Sequence, residues 1–75
     1  MSAMIELYYQ APVDAERELA FLKKVEAIGG RLDYREEEEH SIVLTYEFEA
    51  WEKAEEAIEA LREPGCHIEG PSNYG

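Results

Sequence analysis

Few side chains in this sequence have the chemistry to hold a metal or attack a substrate: His40, Cys66 and His67, Glu39 next to the first histidine, and the hydroxyls of Ser2, Ser41 and Ser72. Imidazole, thiolate and carboxylate all bind divalent cations, so His40, Cys66 and His67 define a weak metal-binding reading of the chain. Nucleophilic catalysis asks for more. No Gly-x-Ser-x-Gly elbow, phosphate loop or His-Glu-x-x-His pattern is present, and no serine has a sequence context that suggests activation. Carboxylates are the abundant functional type. Glu36-Glu37-Glu38-Glu39 form an unbroken acidic run, and Glu49, Glu52, Glu55, Glu56, Glu59 and Glu63 follow. Such acids are either a solvated surface or a patch that steers a basic protein partner.

The charge balance narrows the partners. Seven basic against eighteen acidic side chains give a net charge of −11, which repels a phosphate backbone, so nucleic acid is not an expected partner. A chain of 75 residues makes one domain, residues 1–75, and 45% hydrophobic content supplies a core without staples. The lone Cys66 has no intrachain disulfide partner, which points to a reducing, cytoplasmic setting. Met1-Ser2-Ala3-Met4 opens neither a basic nor a long apolar leader, and no stretch approaches the roughly 20 apolar residues of a membrane span. No membrane association and no cofactor are expected.

Period-two alternation predicts a first strand over Ala3 to Gln10, with Ile5, Leu7 and Tyr9 on one face and Met4, Glu6 and Tyr8 on the other. Pro12 breaks the run and Asp14 offers a helix N-cap. Leu19, Phe21, Leu22, Val25 and Ile28 then share one helical side, and Gly29-Gly30 supplies the stop. Alternation returns with Leu32 and Tyr34 opposite Arg31, Asp33 and Arg35. It is strongest from His40 to Glu49, where Ile42, Leu44, Tyr46 and Phe48 oppose Ser41, Val43, Thr45 and Glu47. Matching the inward sets, Tyr34 to Ile42 and Leu32 to Leu44, centres the hairpin on Glu38 and requires an odd-numbered, loose or bulged tip. A second helix starts near Ala50 or Trp51 with Trp51, Ala54, Ala57, Ile58 and Leu61 on one face, and Pro64-Gly65 ends it. Cys66 and Ile68 make a short last strand, and residues 70–75 read as a loose tail. Tyr9, Tyr34, Tyr46, Phe48 and Trp51 are expected in the core or at its edge.

Strand, helix, strand, strand, helix, strand is the split βαβ order. It predicts a two-layer α+β sandwich, an antiparallel four-stranded sheet of order 4-1-3-2 with both helices on one face. In topology it resembles the ferredoxin-like superfold, a likeness that implies no activity. Acylphosphatases share that topology but need an arginine-bearing cradle before the first helix, where this chain has Gln10-Ala11-Pro12-Val13-Asp14-Ala15-Glu16. Copper-carrying domains need a Cys-x-x-Cys pair. RNA-recognition motifs need exposed aromatics on the central strands, where Met4, Glu6, Tyr8, Val43, Thr45 and Glu47 stand. Amino-acid-sensing ACT domains have a glycine turn where this chain has Pro12.

Within that topology His40, Cys66 and His67 fall at one end of the sheet, but their strands flank the first strand, about 10 Å apart at roughly 4.8 Å per spacing. The expected function is therefore a non-enzymatic interaction or regulatory module that uses its open sheet face or an edge strand. Met4, Tyr8 and Val43 are its surface residues, and Arg31 and Arg35 are free to pair with Glu6 and Glu47 across a two-fold axis. The partner would be a second copy or a basic protein. A ligand sensor or small enzyme with a pocket between subunits is the alternative.

Overall fold

The apolar alternation of β1 (Ser2–Gln10) and β3 (Ser41–Phe48) brings the two strands together as an antiparallel pair, with Leu7 opposite Leu44. Their inward side chains, Ile5, Leu7 and Tyr9 against Ile42, Leu44, Tyr46 and Phe48, are all buried. β2 (Arg31–Glu37) pairs with the far edge of β3 and β4 (Cys66–Tyr74) with the far edge of β1, giving the order β2-β3-β1-β4. That is the expected 4-1-3-2 sheet, and the chain is a βαββαβ ferredoxin-like sandwich. The computed structural model describes residues 2–74.

Two helices, α1 (Ala15–Ala27) and α2 (Trp51–Leu61), cover one side of this sheet. Phe21 and Val25 from α1 and Ala54, Ala57 and Leu61 from α2 join the inward strand residues in one core cluster. The Asp14 side chain caps α1 by accepting from the Arg17 backbone N–H at 3.0 Å. Gly29 ends the helix with φ +94°, a conformation costly for any residue with a Cβ. Ala50 gives α2 no side-chain cap, so its start rests on packing of its apolar face. Among the described residues, no helix is long and apolar enough to cross a membrane.

The β2–β3 hairpin departs from the register predicted by matching apolar faces. Leu32 lies opposite Tyr46 and Tyr34 opposite Thr45, with Asp33 inserted between them as a bulge. The bulge reverses the inward and outward sets beyond it. Tyr34 therefore turns to the helix-free side and stays 57% exposed instead of joining the core, while Arg35, opposite Leu44, turns toward the helices. Because the bulge absorbs the extra residue, the tip is tight: Glu38 N–H donates to the Ser41 carbonyl at 2.8 Å across Glu39-His40. Trp51 also departs from its expected place, heading α2 at 40% exposure.

β4 is longer than Cys66 and Ile68 suggest. It pairs with β1 from Tyr9 opposite Cys66 to Ser2 opposite Tyr74, so residues 70–74 are strand and not a loose tail; residue 75 lies outside the described residues. The Gly70-Pro71 step, which reads as a breaker, is instead a bulge between the Glu6–Glu69 and Met4–Ser72 pairs. Gly70 carries it at φ +114°, where a Cβ would stand 2.8 Å from the Met4 carbonyl oxygen.

Candidate interaction face

The side of the sheet away from the helices is a grid of three cross-strand rows. Read from β2 to β4 they are Arg31–Glu47–Met4–Ser72, Tyr34–Thr45–Glu6–Glu69 and Glu36–Val43–Tyr8–His67. Each row alternates with a row of core residues because successive side chains of a strand point to opposite faces. Met4 and Val43 are pressed down to 6% and 7% exposure by their neighbours although no helix lies over them. Around Met4 and Thr45 the surface sinks into an open depression of about 560 Å³, walled by Tyr34, Glu6, Asp33 and Glu47.

The electrostatics of this face are lopsided. Glu6 and Glu69 sit directly opposite one another on neighbouring strands, an arrangement of like charges that destabilises a sheet. The Tyr8 hydroxyl reaches Glu6 Oε1 at 3.4 Å, and its ring lies 5.7 Å from that of His67, whose Nε2 is 2.9 Å from Glu69 Oε2. Burial, with the fields of Glu6 and Glu69 added, pushes the Tyr8 phenol above its ordinary range, so it stays a neutral donor. Arg31 is held by Glu47, with its Nε donating to Oε1 at 2.7 Å. That guanidinium in turn holds the Glu47 carboxyl below the usual carboxylate range.

Of the residues expected on this surface, Met4, Tyr8, Val43 and Arg31 lie together. Arg35 does not, since the Asp33 bulge carries it to the helix side, where its Nε and Nη2 donate to Glu18 at 2.7 and 3.0 Å and its Nη1 donates to Glu37 at 2.6 Å. The acidic run divides: Glu36 lies on the open face, Glu37 on the helix side, and Glu38 and Glu39 at the hairpin tip. The metal-ligand types also separate. Cys66 stands opposite Tyr9 on the core side and His67 opposite Tyr8 on the open side, while His40 is at the exposed tip, 3.5 Å from Glu39. Among the described residues no group of three His, Cys, Asp or Glu side chains could hold a metal ion.

One polar cluster has no counterpart in the sequence reading. The Tyr9 hydroxyl donates to Glu18 and accepts from the Asp14 N–H at 3.0 Å, so Glu18 ties α1 to β1 and, through Arg35, to β2. Nearby, Arg17 lies over the rings of Tyr9 and Phe21, 5.4 and 5.6 Å from their centroids, and donates to Glu63 at 3.1 Å and to Cys66 Sγ at 3.2 Å. Regular alternation along β2 gave no signal for the Arg35–Glu18 contact, because only the Asp33 bulge carries Arg35 to the side of Glu18. Compared with known proteins, the chain matches no family model, no curated protein and no solved structure.

Proposed function

We propose that this domain is a non-enzymatic interaction module that binds through the helix-free face of its sheet. The observation that carries this reading is the pairing of nearly buried Met4 and Val43 with exposed Tyr34 on a face that none of the described elements covers. Apolar floors beneath an aromatic and polar rim are the composition of protein interfaces. The edges suit a partner less well. β2 is interrupted by the Asp33 bulge, and β4 carries its own bulge and Pro71, which has no N–H to donate to an added strand.

Site-specific photocrosslinking in the native host tests the reading. A benzophenone side chain in place of Tyr34 is expected to capture a defined partner, and the same group in place of Glu56, exposed on α2, is not. Capture from Glu56 alone, or from neither position, removes the sheet face as the binding surface. A product of twice the chain's mass would identify a second copy.

A further inference from the structure

We infer that the partner of the sheet face is a polypeptide segment bearing lysine or arginine side chains, and not a second copy of this chain; this rests on the reading of that face as the binding surface. Glu6, Asp33, Glu36 and Glu69 present four carboxylates on or beside the grid, while its guanidinium, Arg31, is already engaged by Glu47. Glu6 and Glu69 face each other across β1 and β4 with Tyr8 and His67 alongside, so a cation placed between the two carboxylates relieves a repulsion already present in the free protein. The apolar part of the grid suits the same partner. Methylene stems of lysine or arginine can lie along Met4 and Val43 and on the Tyr8 and Tyr34 rings while their heads reach the acids. Two copies stacked face to face would instead bring these carboxylates together between chains that each carry −11.

The test uses the 15N-labelled protein and two synthetic decapeptides, alternating lysine–threonine and alternating glutamate–threonine. The lysine peptide is expected to shift the amides of Glu6, Tyr8, Thr45 and Glu69 saturably, and the glutamate peptide to shift none of them. Glu6→Gln with Glu69→Gln should weaken lysine-peptide binding by about tenfold at low salt, with a deficit that shrinks at high salt. Glu52→Gln with Glu56→Gln, the same charge change on the exposed side of α2, should change affinity by less than about twofold. A melting temperature of the first double variant at or above that of the parent establishes that its fold is intact. Equal weakening by the two double variants would mean unspecific attraction to an acidic protein and would overturn the inference. Sedimentation giving a dimer that Tyr34→Lys dissociates would also overturn it, while leaving the sheet face as the binding surface. Failure of the photocrosslink at Tyr34 removes both.

Discussion

Glu18 is the residue on which three elements depend, since its carboxylate receives Tyr9 from β1 and Arg35 from β2 while it sits in the first turn of α1. Hydrogen bonds to a charged group contribute about 1.5–3 kcal/mol, so Glu18→Ala is expected to cost that much in urea unfolding at neutral pH. The Arg35 guanidinium is the main cause holding the Glu18 carboxyl below its usual range, with the Tyr9 hydroxyl adding to it. A folded-state pKa below the unfolded one contributes stability at pH values above the unfolded value, about 4.3, and loses it as pH falls. The gap between parent and Glu18→Gln should therefore be widest near pH 7 and close toward pH 3; a gap that widens in acid would show that Glu18 is not the ionised partner of Arg35. Cys66 lies at the same junction. Burial raises its thiol despite the opposing effect of Arg17, so thiol labelling at pH 8 should be slow in the native protein and fast in denaturant. The role of Glu18 was not legible in the sequence, where nothing sets it apart from the other acids. Its partners come from β1 and β2, and only tertiary folding brings them within reach.

At the scale of elements, strands with unbroken alternation were readable and strands with bulges were not. β1 and β3 keep a period of two through their central residues, so every inward residue expected from them is buried. In β2 the same alternation misleads after Asp33, because one inserted residue exchanges the faces of Tyr34 and Arg35. The same inserted residue explains why Tyr34, and not Arg35, became part of the candidate face. In β4 the Gly70-Pro71 step reads as an end, whereas the pairing of Asn73 with Ala3 shows the strand continuing past it. Two substitutions test this account. Leu44→Ala, at a fully buried position, should cost about 2–5 kcal/mol, against less than about 1 kcal/mol for the outward Thr45→Ala. Equal losses would place β3 in a different register. Gly70→Ala forces a Cβ against the Met4 carbonyl at positive φ, a strain of about 1–3 kcal/mol, and thermal unfolding should register it. An unchanged melting temperature would rule out the bulge geometry.

For the whole molecule, the sign of the salt response follows from weighing two opposed effects. Salt screens the ion pairs that hold the fold, and it also screens the repulsion among acids that strains it. Apart from Arg35–Glu18 and Arg17–Glu63, whose arginines are 31% and 26% exposed, the ion pairs among the described residues lie at the surface: Arg31–Glu47 and Arg62–Glu59 leave their arginines 73% and 67% exposed, and pairs of this kind add little. Against them stands a net charge of −11 on a chain of 75 residues, with Glu6 facing Glu69 and an acidic run crowding one hairpin tip. Raising ionic strength from 0.01 to 0.15 M shortens the screening length from about 30 to about 8 Å, which removes long-range repulsion across the domain more completely than it weakens pairs in contact. Stability should therefore rise with salt. A gain of 1 kcal/mol corresponds to roughly 4–8 °C in a domain of this size, so calorimetry in sodium chloride should show a melting temperature several degrees higher at the higher salt. Glu37→Gln with Glu38→Gln should reproduce part of that gain at low salt and little of it at high salt, because Glu37 gives up only an exposed pair with Arg35 while the acidic run loses two like charges. A melting temperature that falls with salt, or a double variant less stable than the parent at low salt, would mean that specific ion pairs and not net repulsion dominate this acidic fold.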